Sequence, residues 1–243
     1  MSSPGRPSAR SRCVQLPSQY QAVVHLGGGC GLRQGELFGL PVDEVGFDTG
    51  WLHIACQVKV AGGKLVFVPP NRNKERDVPL PDWMAHVLKQ HIEAHPSIEV
   101  TWPWLRPHSE PKTKRLLFAR PDGDGAVRRT DFNPRCWKAA LVAAGVIPEP
   151  KRGERHQVAR EHGMHALRHF YASVLVDAGQ NIEALSTHLG HTDPEFTLRV
   201  FTHLLPSGEG QTRSTVDSLY RGHRFRAGRP TDGPRRVRRA RGP

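Results

Sequence analysis

The chain has 243 residues, 37% hydrophobic and 24% charged, which fits a soluble globular protein with bulk for one large domain or two small ones. No apolar run approaches the roughly 18 residues a membrane helix needs, and the basic start, Met1–Val14, has no apolar stretch behind it, so neither a spanning segment nor a secretory signal is read. Net charge is +12, but nine arginines against one acid (Asp232) lie between Arg221 and Pro243, so eight of those charges sit there and the rest carries +4. A polyanionic partner such as nucleic acid, or a basic tail on an ordinary domain, accounts for this equally well.

Residues 1–16 are rich in Ser, Pro and Arg without periodicity and are expected to be disordered. Helical spacing starts near Gln19, with Ala22, Val23, Leu26 and Cys30 on one side; Gly27, Gly28 and Gly29 weaken that helix by about 1 kcal/mol each relative to alanine. A short helix follows over Arg33–Leu40, stopped by Pro41. Three β-rich runs, Trp51–Val60, Lys64–Val68 and Glu75–Val78, predict a small three-stranded antiparallel sheet.

Pro81 and Asp82 open a helix to about Ala94. The Pro/Trp-rich stretch Pro96–Pro111 reads as a loop, Leu116–Ala119 as a short strand, and Asp131–Ala144 as a helix closed by Gly145. Pro148–Gly163 is charged and irregular, and reads as a mobile loop. The last third is helical: His165–Ala178, Ile182–Leu189, Pro194–Leu204 and Gly210–Tyr220. Residues 221–243 are low-complexity Arg/Gly/Pro and are expected to be disordered. The division is therefore 1–16, a folded body over 17–220, and a tail over 221–243, the body mainly α with one small sheet.

Four cysteines, Cys13, Cys30, Cys56 and Cys136, are scattered with no CxxC pair, as in a reduced intracellular protein. Cys30 and Cys56 lie in apolar surroundings and read as inert core thiols. Fourteen histidines raise a metal reading, but neither HExxH nor a Cys/His finger spacing is present, so no metal is expected.

Three motifs carry chemistry. In Gly31-Leu32-Arg33-Gln34-Gly35-Glu36-Leu37, an arginine at a helix start flanked by glycines can reach an anion close to the backbone; alone, Arg33 reads as well as a surface arginine paired with Glu36. In His165-Ala166-Leu167-Arg168-His169, residues three apart share a helix face, so His165 and Arg168 can converge on one ligand, while Leu167, Phe170, Val174 and Leu175 are expected to bury another face. Arginine offers a planar fork that suits two phosphate oxygens. The third motif is Leu189-Gly190-His191, followed by Thr197-Leu198-Arg199-Val200-Phe201-Thr202-His203-Leu204.

In this order and spacing, the motifs resemble the catalytic domain of the tyrosine recombinases, the phage integrase family, over about Leu16–Tyr220. The resemblance implies the DNA breaking-rejoining catalytic fold, and a reaction on double-stranded DNA with no cofactor and no metal. A tyrosine oxygen attacks the scissile phosphate while fixed cations stabilise the charge that builds on its oxygens. It places Arg33, Arg168, His165 and His191 around that phosphate, with His169 as a support. It also implies a cytoplasmic, nucleoid-associated protein with no membrane partner. Assembly with copies of itself or with an active integrase is expected, with Gly210–Tyr220 (Val216, Leu219) docking on a neighbour.

Two departures follow. The family's general-acid lysine is expected soon after the proline in Pro70-Asn71-Arg72-Asn73-Lys74-Glu75-Arg76, and Asn71 falls there; Lys74 is the first substitute and Lys64 the second. The nucleophilic tyrosine falls on Phe201, which has the ring but no hydroxyl. Of the three tyrosines, Tyr20, Tyr171 and Tyr220, Tyr171 is expected in the core and Tyr220 reaches the site only after rearrangement. The implied protein is a site-specific recombinase catalytic domain deficient in cleavage. The alternatives are a non-catalytic DNA-binding remnant or competitor of an active integrase, or the product of a decaying gene. Relatives also carry an amino-terminal helical DNA-binding domain that completes a clamp, here expected to be missing.

Overall fold

Helix α1 (Ser18–Gly29) buries Tyr20, Ala22, Val23 and Leu26 along one side, and Cys30 closes the stripe, as the spacing predicts. Each such leucine contributes about 1.5–3 kcal/mol by leaving water. The computed structural model describes residues 16–120, 125–151, 153–154, 156, 161–191 and 195. The segments 1–15 and 196–243, with Phe201, Tyr220 and the helices read at Pro194–Leu204 and Gly210–Tyr220, lie outside them, as does part of Pro148–Gly163.

Helix α2 (Gln34–Phe38) is shorter than the expected Arg33–Leu40, with Arg33 in extended backbone before it. A three-stranded antiparallel sheet is present, but its strands differ from the expected set. It joins β1 (Val45–Gly46), β2 (Trp51–Ile54) and β5 (Arg76–Pro79), whereas β3 (Gln57–Ala61) and β4 (Lys64–Val68) form a separate hairpin. The run Trp51–Val60 is therefore two strands, broken at Ala55–Cys56. The break has a packing cause. Gly39 lets β3 lie against the end of α2, where a Cβ would stand 2.9 Å from the Val58 nitrogen. The Cys56 thiol donates to the Gly39 carbonyl (2.9 Å) at the corner.

Beyond α3 (Asp82–Ala94), the stretch read as a loop contains β6 (Ile98–Pro103), paired with β7 (Pro111–Leu116) rather than with a strand over Leu116–Ala119. Its prolines hide the pattern: Pro103 and Pro111 face each other at the loop end of the ladder, where missing N–H donors cost least. Trp102 packs on Phe67 with ring centroids 5.0 Å apart. The helix expected over Asp131–Ala144 is α4 (Arg129–Phe132), a π-turn over Asn133–Trp137, and α5 (Lys138–Ala143). Pro134 cannot donate into the ladder, which forces the wider turn.

Helices α6 (His165–Asp177) and α7 (Ile182–Leu189) end near the expected glycines. The buried face of α6 is not the one anticipated. Arg168, Tyr171, Ala172 and Val176 face inward, while Phe170 and Val174 are exposed at 61% and 48%. The demand of the Arg168 guanidinium for buried acceptors sets this rotation. Three apolar clusters result: one joins α1, α2, α3 and the segment up to Trp137, one lies between the β3–β4 hairpin and β6–β7, and one lies between α6 and α7. Cys30 and Cys56 are buried, and burial pushes their thiols up to about 12 and about 11, so both are inert. Among the described residues, no helix is long and apolar enough to cross a membrane.

Candidate functional site

Gly31 begins the site. Its φ of +65° lies in the left-handed region, and a Cβ there would meet the Tyr171 ring at 2.5 Å, so only glycine fits. The turn aims the Gly31 carbonyl at Arg168 of α6, whose Nη1 donates to it at 2.7 Å. Two residues later Arg33 leads into α2. Its backbone N–H donates to Glu36 Oε2 (2.8 Å) and its Nη1 to Glu36 Oε1 (3.1 Å), so the local ion pair exists.

Glu36 has a second and stronger partner. It is fully buried, and Arg76 of β5 meets it fork to fork, Nη1 to Oε1 at 2.9 Å and Nη2 to Oε2 at 2.7 Å. Burial pushes the carboxyl up, but the Arg76 hydrogen bonds and charge, with Arg33 beside it, outweigh that and hold it at about 2. Arg76 also donates through Nε to the His188 carbonyl (2.7 Å), in the last turn of α7.

Arg168 is 3% exposed and its Nη2 donates to the next carbonyl, Leu189, as well as to His191 Nε2 at 3.1 Å. Accepting there leaves the proton of a neutral His191 on Nδ1. Burial and the charge of Arg33 pull the Arg168 guanidinium down to about 9, still charged at neutral pH. Three of its five N–H groups are thus used inside the protein, leaving a partial fork for an outside anion.

Two histidines flank these cations. His165 starts α6, exposed, its ring edge-on to His169 with centroids 4.7 Å apart. Desolvation lowers it to about 4, helped by His169, Arg168 and Arg33. His191 follows Gly190, the left-handed cap of α7. Desolvation lowers it to about 4 too, helped by Arg168, Arg33, Arg76 and His165. The same guanidinium charges thus act on both rings, so Arg33, Arg168, His165 and His191 share one neighbourhood. Both histidines are neutral at pH 7.

Among the described residues, one carboxylate therefore faces three guanidiniums. The surplus is two positive charges in a partly desolvated setting, which is the electrostatic shape of an anion site. A concavity of about 420 Å³ lies elsewhere, lined by Asp43, Glu44, Trp51, His53 and Asp77, and its acids already meet Arg115, Lys114 and His53. No group of three or more His, Cys, Asp or Glu is placed to hold a metal among the described residues.

The turn after β4 separates the expected lysines. Lys74 is exposed at its far end and Lys64 exposed at the start of β4; neither is tied to the arginines by a hydrogen bond among the described residues. Asn71 instead accepts from Gln57 (3.2 Å) and from Lys59 Nζ (3.4 Å), both on β3. Tyr171 is buried as expected, and burial pushes its phenol up to about 12. Phe201 and Tyr220 lie outside the described residues.

Sequence reasoning missed Arg76 and Lys59. Arg76 had a signal: it sits on the same strand face as the buried Val78, and an arginine at an inward position requires a buried acid. Lys59 had none.

A fold of this kind occurs in solved structures of integrases and recombinases. The Tn1549 transposon integrase in complex with transposon right end DNA superposes with a TM-score of 0.59 at 17% identity, covering 83% of this chain and 59% of that one. The crystal structure of XerA recombinase gives 0.52 at 18% identity, over 93% and 67%. The sequence matches the phage integrase family over residues 9–207, and the chain belongs to that family. It is 24% identical over 212 residues to the tyrosine recombinase XerC-like protein of Caldanaerobacter subterraneus subsp. tengcongensis, covering 83% of this chain and 50% of the relative. Tyrosine recombinase XerD of Rhizobium meliloti is 26% identical over 194 residues, 79% and 49%. The chain thus spans about half the length of these relatives.

Proposed function

We propose that this chain is the catalytic domain of a site-specific DNA recombinase that holds the scissile phosphate of double-stranded DNA and, as written, does not cleave it. Residues 17–220 form the catalytic body, between basic segments at 1–16 and 221–243. One observation carries the reading: Glu36, the single buried carboxylate among the described residues, lies among Arg33, Arg76 and Arg168 beside two neutral histidines. The two surplus positive charges suit a phosphodiester, and suit still better the doubly charged phosphorus centre formed on attack.

In the reaction, a tyrosine oxygen bonds to phosphorus, the bond to the 5′-oxygen breaks, and that oxygen takes a proton. Arg33 and the remaining donors of Arg168 bind the non-bridging oxygens, while His165 and His191 add hydrogen bonds. With phenylalanine at 201 there is no oxygen to attack. The chain then occupies its site as a non-catalytic DNA binder, a competitor of an active integrase, or a subunit served by a partner's tyrosine. It acts in the cytoplasm, on the nucleoid.

Covalent trapping on a pool of nicked duplexes, randomised on both sides of the nick, tests this. The natural chain gives no protein–DNA adduct and Phe201→Tyr gives one. An adduct from the natural chain overturns the cleavage deficiency; none from Phe201→Tyr on any DNA overturns the catalytic site.

A further inference from the structure

The geometry points to Lys59 of β3 as the group that protonates the leaving 5′-oxygen, in place of a lysine at Asn71; this rests on the reading given under Proposed function. On β3, Gln57 and Lys59 are two residues apart and so lie on one face of the strand. Gln57 holds that face to the site: its side chain lies against Gly35 in the first turn of α2, where a Cβ would stand 3.3 Å from Gln57 Oε1. Its amide donates to the Pro69 carbonyl (2.8 Å) and to Asn71 Oδ1 (3.2 Å).

The same Asn71 oxygen accepts from Lys59 Nζ at 3.4 Å. The asparagine thus acts as an acceptor that draws in an ammonium from the neighbouring strand, and Lys59 stays exposed to a ligand lying over the turn. Lys64 and Lys74 have no comparable tether among the described residues. Lys64 pairs through its backbone with Ala61 at the distal end of the hairpin, and Lys74 lies beyond the Asn71–Asn73 turn.

The step balances simply. As the tyrosine oxygen–phosphorus bond forms and the bond from phosphorus to the 5′-oxygen breaks, the electron pair left on that oxygen takes a proton from Lys59 Nζ. The neutral amine receives the proton back when the 5′-hydroxyl attacks in the reverse step.

The experiment uses Phe201→Tyr as parent, on the randomised nicked pool with either an ordinary phosphodiester or a 5′-bridging phosphorothiolate at the scissile position. A thiolate leaves without protonation, so sulfur replaces a missing acid but repairs no structural damage. The parent is expected to form adduct on both DNAs. Lys59→Ala is expected to lose about 10²–10⁴-fold on the ordinary DNA and to return to the parent's rate on the sulfur DNA. Loss on both DNAs makes Lys59 a structural residue and overturns the inference. So does sulfur rescue of Lys74→Ala instead of Lys59→Ala, or a parent that cleaves only the sulfur DNA. A parent that cleaves neither overturns the catalytic reading itself, and the inference with it.

Discussion

Arg76 and Arg168 donate to consecutive carbonyls, His188 and Leu189, at the end of α7. Each also reaches back to the segment around α2, Arg76 to Glu36 and Arg168 to Gly31. The two guanidiniums thus clamp one end of the helical bundle to the loop that carries Arg33. They satisfy carbonyls that a helix leaves without intrahelical partners and complement its negative end. His191 lies just past that clamp, so its position depends on both arginines.

Breaking the clamp at its acid is expected to be costly. Arg76→Met leaves Glu36 buried with hydrogen bonds from Arg33 but without its two-pronged partner, and should destabilise the chain by about 3–5 kcal/mol in urea unfolding. Replacing Glu36 and Arg76 together by apolar residues should cost less than the two single changes added. Simple additivity would show that the pair is not coupled.

Acid should unfold the chain in two stages. His165 and His191 lie at about 4 when folded against an ordinary 6.5, so the unfolded chain binds more protons between those values and stability falls as pH drops through that window. Glu36, at about 2 against 4.5, contributes stability in full above 4.5 and loses it as pH falls towards 2. Urea midpoints measured from pH 7 to pH 3 check this: His165→Gln with His191→Gln should weaken the upper stage, to which the lowered His91, His169 and His188 also contribute, and leave the lower one.

An anion in the site should restore protons to those histidines. DNA binding is therefore expected to take up protons, and to tighten as pH falls from 7 to 6. Calorimetry in two buffers of different ionisation enthalpy reads the uptake directly; equal heats in both would rule it out.

Arg168→Lys keeps the charge but not the fork. One ammonium cannot serve the Gly31 and Leu189 carbonyls and His191 in the same geometry, so a loss of about 1–3 kcal/mol in stability is expected, together with weaker DNA binding. A lysine variant as stable as the natural chain would mean that these acceptors find other donors.

Binding should depend steeply on salt. With phosphate contacts carrying the affinity, raising salt from roughly 50 to 200 mM is expected to abolish most of it in fluorescence anisotropy. A flat salt response would exclude backbone phosphates as the main contact.

What the residues alone determine here is local. The apolar stripe of α1, the glycine closures of α6 and α7, and the placing of His165 and Arg168 on one helix face all follow from spacing, because a helix repeats over a few residues. Glycine pattern and motif order likewise mark Arg33, Arg168, His165 and His191. Tertiary structure decided the rest through contacts between residues 40, 112 and 137 positions apart: Arg76 with Glu36, Arg76 with His188, and Arg168 with Gly31. No local period records such distances. Packing also split the run Trp51–Val60 at the Gly39 contact, paired β6 with β7 despite their prolines, and turned Phe170 outward so that Arg168 could turn in. The tether of Lys59 to Asn71 belongs to the same class, since two strands and a turn must first fold to bring them together.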